Sequence, residues 1–403
     1  MSKKKVIITI LFHAQHNLKK DGVESRMKAI TNGKIVTPTD VLENKVLVVN
    51  DGKVIEIADA APIDAELIDA KGFIVAPGFV DVHIHGSMGA DVMDGTVDAI
   101  KTIATGIAQY GTTSFLPTTM TMDRADVYRS LEIIKNLQSE DLAGAEVLGA
   151  HLEGPFINVK YKGAQNEAFV KAPDDEWIKD FSDVIKLVTY APEMDPDFEF
   201  TKTIKAKTDV TLSIGHSNAN YKLASRAIEH GCSHMTHLFN AMTGLHHRDP
   251  GIVGAALMHD VFTELIADKV HVSEHLFQFL LDNKGEERIV LITDSMRAGG
   301  MKNGIYDLGG QEATVKDGVA RLADGTLAGS VLTLNQAVRN FYEQTDATLF
   351  EAIRLASLNP ATSIHVSNRK GSLEVGKDAD IIFLDDAFNC HLTLVKGKVV
   401  YQA

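Results

Sequence analysis

Along residues 29–75, short apolar runs alternate with polar, turn-forming residues, a pattern that predicts short strands rather than helices. Asn50-Asp51-Gly52-Lys53 lies between two such runs, 45–49 and 54–57. An Asp-Gly pair in that setting predicts a two-residue hairpin turn, because both central residues must take positive φ. The far end of the chain repeats this pattern, with 371–376, then Ala379-Asp380-Ile381-Ile382-Phe383-Leu384, then 392–395, Lys396-Gly397-Lys398 and 399–401. Both ends are therefore expected to form one small β-sandwich domain, residues 27–78 and 366–403, that brackets the middle. Within residues 79–365, strand-like runs at 79–85, 113–118, 146–153, 186–192, 210–216, 234–239, 263–268 and 289–294 are each followed by helical patterns. In 97–109, for example, Val97, Ile100, Ile103, Ala104 and Ile107 recur at helical spacing and Gly111 follows the end. Eight such units predict an α/β fold, a (β/α)8 TIM-like barrel, in preference to a doubly wound open sheet, which normally has fewer.

Length agrees with that reading: 403 residues hold one barrel of roughly 250 residues plus a satellite domain. Hydrophobic residues at 45% and charged residues at 23% are those of a soluble globular chain, and no apolar run approaches the roughly 20 residues that span a bilayer. A net charge of −14 argues against nucleic-acid partners, whose binding rests on a broad basic surface, and means that an anionic substrate needs a local cationic pocket. Cys232 and Cys390 form no CxxC pair, which suits buried free thiols in a cytoplasmic protein. Lys3, Lys4 and Lys5 before an apolar run mimic the start of a signal peptide, but the run is short and no small-residue cleavage site follows. Met27-Lys28-Ala29-Ile30-Thr31-Asn32-Gly33 opens a strand and turn, so residues 1–26 are expected to be an extension outside the fold, a cloning remnant or a misassigned start.

The chemistry-bearing residues fall at the carboxyl ends of the expected barrel strands, where barrel enzymes place their catalytic groups. The first strand ends in His83-Ile84-His85, whose two-residue period puts both imidazoles on one face, able to share a metal ion. The third ends in His151-Leu152-Glu153-Gly154-Pro155, which places a carboxylate just before a strand-stopping Gly-Pro. The fifth and sixth deliver His216 and His237. Taken singly, a histidine beside apolar residues is more often a satisfied core group than a ligand, but the set converging on one barrel end reverses that weighting. The largely apolar eighth run terminates in Asp294, a candidate general base that could take a proton from water and return it to a leaving amine. Its bland alternative is a helix N-cap. Imidazole and carboxylate without cysteine suit zinc, iron or manganese. No Gly-x-Ser-x-Gly elbow or Walker loop competes for the chemistry.

Six ordered segments carry a family resemblance: 77–81, 151–156, Gly215-His216-Ser217-Asn218-Ala219, 236–242, Leu291-Ile292-Thr293-Asp294 and Leu327-Ala328-Gly329-Ser330. Together they resemble the amidohydrolase superfamily and, within it, the N-acetylglucosamine-6-phosphate deacetylases, over about residues 27–401. That similarity implies hydrolysis of the acetyl group of a phosphorylated amino sugar. It implies that Glu153, His216 and His237 hold the principal metal and that Asp294 is the acid/base. His83 and His85 resemble the members able to hold two ions, so one or two divalent metals, with two sites favoured, are implied. Substrate contacts carry over onto Ala164, Gln165, Asn240, Ala241, Arg248, Asp268, His271, Leu327, Ala328 and Gly329. In the family the arginine reaches the neighbouring subunit's site, so Arg248 implies a homodimer. Its planar fork suits phosphate. Gln165 stands where some relatives have a histidine, and glutamine cannot carry a proton. His151 reads as structural, while His246 and His247 have no assigned role. A cyclic-amide hydrolase or aminoacylase would share the metal constellation and is separated by dependence on the phosphate. A non-catalytic scaffold descended from the fold would be expected to have lost ligands.

Overall fold

Eight parallel strands occupy the middle of the chain in the computed structural model, which describes residues 27–403; the expectation for residues 1–26 lies outside the described residues. They are β1 Phe79–Ile84, β2 Thr112–Thr119, β3 Ala150–Glu153, β4 Ile185–Tyr190, β5 Thr211–Ile214, β6 His234–Met235, β7 Phe262–Ile266 and β8 Ile289–Ile292. Each pairs in parallel with the next, from β1 to β8. The ring closes where Asp294 N donates to His83 O at 2.8 Å and Ile84 bridges Ser295. The (β/α)8 barrel expected from the alternation is therefore present. Helix α1, Val97–Ala108, shows why its sequence folds as it does. Thr96 caps it by accepting from Ala99 N, a contact worth about 1 kcal/mol, and Ile100, Ile103, Ala104 and Ile107 turn inward onto the barrel core.

Most strands are shorter than their apolar runs. β3 begins only at Ala150, separated from a two-residue strand Glu146–Val147, and β5, β6 and β8 stop two residues before His216, His237 and Asp294. The segments beyond remain buried against the cavity walls, and hydrophobic patterning reports burial rather than ladder pairing.

Both chain ends do share one β layer. Ile74–Pro77 pairs in parallel with Lys34–Val36 and antiparallel with Ile381–Leu384, within a six-stranded sheet that runs on to Lys398–Gln402. A four-stranded sheet packs with it over Ile30, Ile35, Leu47, Val75, Ile381, Phe383 and Leu394. The Asp51-Gly52 hairpin forms as expected, with φ of 49° and 73°. An additional three-stranded antiparallel sheet, Gly304–Leu308, Gln311–Lys316 and Val319–Leu322, follows β8 and was not anticipated. Its own small core, with Leu308, Ala313, Val315, Ala320 and Ala328, rests on Met120 and Met296 beside the barrel mouth. Among the described residues no helix is long and apolar enough to cross a membrane.

Candidate active site

The site is built at the carboxyl ends of the strands. β1 carries His83 and is followed directly by His85, β3 ends in Glu153, and the turns after β5, β6 and β8 present His216, His237 and Asp294. All six side chains are buried. Gly215 is required before His216, because a Cβ there would stand 2.6 Å from Thr236 Cβ and 2.8 Å from Thr189 Cγ2.

Glu153 sits at the centre. Its Oε1 lies 3.1 Å from His216 Nε2 and 3.3 Å from both His237 Nε2 and His83 Nε2, while Oε2 is 3.2 Å from His85 Nε2. Asp294 Oδ1 is 3.2 Å from His85 Nε2 and 3.6 Å from His83 Nε2.

The other nitrogen of each imidazole is already committed. His216 Nδ1 faces Tyr161 O at 2.9 Å, His237 Nδ1 faces Asn240 O at 3.1 Å, His85 Nδ1 faces Thr118 O at 3.2 Å, and His83 Nδ1 faces Glu264 Oε2 at 2.9 Å. Carbonyl and carboxylate oxygens only accept, so each Nδ1 carries a hydrogen and Nε2 is the ring nitrogen left to face the carboxylates. His216 Nε2 and His237 Nε2 stand only 3.1 Å apart, and His83 Nε2 has no hydrogen-bond partner. Ring nitrogens and carboxylates brought together in this way share a proton or a metal ion, and the donor set of imidazole and carboxylate fits a divalent ion. Three overlapping groups among the described residues could hold one: His83, His85 and Glu153, then Glu153, His216 and His237, and behind them His83, His151 and Glu264; only the first two face the cavity.

The electrostatics agree. Burial pushes the His85 imidazole down, but Asp294 and Glu153 outweigh it and hold His85 at about 10. Burial pushes the carboxyls of Glu153 and Asp294 up, and His83 with its neighbouring imidazoles more than reverses this, leaving both below the usual carboxylate range. A carboxylate field that retains a proton so strongly would favour a divalent cation in the same place.

A cavity of ≈ 330 Å³ opens beside these groups, within the range of about 300–1,000 Å³ typical of small-ligand pockets. Ala164, Gln165, Asn240, Ala241, His271, Leu327 and Gly329 line it. Asp268 does not; its Oδ2 accepts from His271 Nδ1 at 2.7 Å and aims that ring. Burial pushes His271 down, yet Asp268 holds it above the ordinary imidazole range. Ala328 is buried in the core of the three-stranded insertion. Arg248 is exposed on a loop outside the cavity wall, with Nη1 2.7 Å from His247 Nε2, and the His246 and His247 rings lie 4.2 Å apart, tilted by 44°.

Gln165 is fully committed. Thr121 N donates to its Oε1 at 2.7 Å, so Nε2 must face Glu153 Oε2, 2.5 Å away. Its amide therefore orients the central carboxylate. His151 lies behind the site, bonded to Thr189 Oγ1 at 2.8 Å and edge-on to His83.

Three features escaped the sequence reading. Lys160 lines the cavity and is the only lysine or arginine among its lining residues. Leu308 and Thr326 reach it from the insertion. Glu264, wholly buried in β7, holds His83. A lone carboxylate within the apolar run 261–267 was its available signal.

Residues 74–400 match the Amidohydrolase family. The chain is 39% identical over 378 residues to N-acetylglucosamine-6-phosphate deacetylase of Bacillus subtilis, covering 91% of this chain and 95% of that protein. It is 36% identical to N-acetylgalactosamine-6-phosphate deacetylase of Escherichia coli, covering 91% and 97%. Among solved structures it superposes on N-acetylglucosamine-6-phosphate deacetylase from Pasteurella multocida with a TM-score of 0.89 and 32% identity, covering 94% of this chain and 100% of that one.

Proposed function

The chain belongs to the amidohydrolase family, and from that premise we propose that it hydrolyses N-acetylglucosamine 6-phosphate to glucosamine 6-phosphate and acetate. The observation that carries the reading is the convergence of four imidazole Nε2 atoms on Glu153 and Asp294 at the mouth of a barrel, beside a cavity of small-ligand size. His83, His85 and Glu153 would hold one divalent ion, and Glu153, His216 and His237 a second; zinc, iron or manganese suits this donor set. Ions bound there supply a polarised acyl carbonyl and a water of lowered pKa.

The chain's own residues then handle the proton. Asp294, whose carboxyl is held ionised at neutral pH, accepts it from the attacking water. As the new carbon–oxygen bond forms and the carbon–nitrogen bond breaks, Asp294 returns the proton to the leaving nitrogen, giving the amine and acetic acid, whose remaining proton passes to the amine or to solvent to leave acetate. His271, aimed by Asp268, and Lys160 supply positive charge toward the phosphate side. Asn240, Ala241, Ala164, Leu327 and Gly329 shape the sugar pocket, with Ala328 anchoring its loop.

Arg248 lies outside its own cavity, so we assign its phosphate contact to a homodimer, in which the partner subunit's Arg248 completes the site. The two free buried thiols suit the cytoplasmic setting we propose.

The test is acetate release from N-acetylglucosamine 6-phosphate by metal-stripped enzyme restored with zinc, iron or manganese. The unphosphorylated sugar and the galacto epimer run alongside. Metal-dependent release favouring the phosphorylated gluco sugar is expected. Preference for the epimer would move the assignment to the second kind of relative, and indifference to the phosphate would return it to a cyclic-amide hydrolase or aminoacylase.

A further inference from the structure

Beneath the site, the barrel interior holds a buried polar layer. Glu264 on β7 meets His83 on β1, and His234, Ser213, Thr236, Thr189 and His151 continue the layer from β6 round to β3. His151 packs edge-on against His83, but Glu264 is the member whose side chain hydrogen-bonds to the ion-binding residues, and it reaches both groups of them. Its Oε2 accepts from His83 Nδ1 at 2.9 Å and from the main-chain N of His237 at 2.9 Å. Its backbone oxygen accepts from Leu238 N at 2.9 Å. Thus one residue fixes the ring of His83 and pins the chain on which His237 takes its unusual φ of 30°.

From this geometry we infer that Glu264 is a positioning residue that ties the two ion sites together, so that losing its carboxylate weakens both. This rests on the reading above that the site holds divalent ions. The hydrogen bond to a carboxylate fixes His83 with Nε2 facing the ion site and makes that nitrogen a better donor, as carboxylate–histidine pairs behind metal ligands do. The same oxygen holds the His237 main chain, which has no side-chain freedom with which to compensate. Oε1 has no hydrogen-bond partner and lies 3.8 Å from His234 Nδ1, so the carboxylate's two aligned bonds both go to ion-binding residues.

The experiment measures stoichiometry and Kd of zinc and cobalt(II) on the full chain by chelator competition, with the cobalt visible spectrum as a second readout. Glu264→Leu, close in size and without acceptors, is expected to lose about 100-fold in affinity at both sites, and Glu264→Gln, which keeps one acceptor, about 10-fold. Ser213→Ala, in the same layer but touching none of the six site residues, serves as the control and is expected to change affinity less than about twofold. Should Glu264→Leu not fold, Glu264→Gln alone decides through its Kd values and cobalt spectrum. Wild-type affinity and spectrum in Glu264→Gln, or loss confined to one site, would overturn the inference. Failure of the wild-type chain to bind either ion would instead overturn the metal reading itself, and the inference with it.

Discussion

Three site residues hold backbone angles that side-chain-bearing residues rarely adopt: His216 at φ 50°, His237 at 30° and Asp294 at 49°. Each costs about 1–3 kcal/mol and persists only where surroundings over-determine it. For Asp294 they do: its N donates to His83 O, and its O accepts from Ser330 N at 2.7 Å. The carboxylate is thereby held by the main chain rather than by its own hydrogen bonds, so an isosteric amide should stay in place. Asp294→Asn is expected to lower kcat about 100- to 10,000-fold, because the amide cannot carry the proton. Metal content measured on the same sample should remain close to wild type; undiminished turnover would remove Asp294 from the mechanism. At this scale the sequence was most readable where a polar residue ended an apolar run, as with His83, Glu153, His216, His237 and Asp294. It was least readable where a role depends on a distant partner. The facing of the Gln165 amide is decided by Thr121 N, and Glu264 becomes meaningful only when β7 lies beside His83 and His237.

Among elements, the alternation of strand and helix was legible through most of the barrel, but β3 is joined to β4 only by 3-10 turns where a helix was expected, and the insertion after β8 was not legible. Its hairpins carried a signal, Gly309-Gly310 and Asp317-Gly318 at positive φ between alternating residues, yet its strands bury only scattered positions against Met120 and Met296. The join between barrel and β layer is apolar where Val36, Ile74, Ile382 and Leu384 pack into the barrel core, but it also contains a buried charge cluster that the sequence hid. Lys370 is fully buried, with Nζ 2.5 Å from Glu146, 2.6 Å from Asp380 and 3.0 Å from Asp378, and Arg369 reaches Glu146 and Asp378 as well. Removing one partner from such a cluster strands buried charge and typically costs about 3–5 kcal/mol. Lys370→Met should lose that much at pH 7 by denaturant unfolding, and a change under about 1 kcal/mol would show the cluster to be unimportant for stability. Burial pushes the Glu146 and Asp378 carboxyls up, but Lys370 and Arg369 hold both below the ordinary range. Their stabilisation is therefore complete above the unfolded pKa of about 4 and drains away as pH falls through the lowered values. Asp380, raised by desolvation, contributes with the opposite sign. With two lowered groups against one raised, the wild-type unfolding midpoint should drop below about pH 4, and Lys370→Met should flatten that decline.

For the whole molecule, the question is how a chain of net charge −14 concentrates enough positive charge on a phosphate. Among the described residues, those lining the cavity offer the phosphate Lys160 and, through Asp268, a His271 held above its usual range. Arg248 is exposed on a loop away from that wall. If each site is completed by the partner subunit's Arg248, the catalytic aspartate and the phosphate arginine of one working site belong to different chains. Two disabled variants should then rescue one another. Arg248→Ala should raise KM for the phosphorylated sugar strongly with little change for an uncharged amide, and Asp294→Asn should be inactive throughout. Random reassociation of an equal mixture makes half of the dimers mixed, and each of these has one site with Asp294 on its own chain and an intact Arg248 opposite. Activity at low substrate should therefore return to about a quarter of wild type. Separate variants cannot produce that recovery, so a mixture no more active than the mean of its parents, at a protein concentration where light scattering shows dimers, would return Arg248 to the role of an ordinary surface charge.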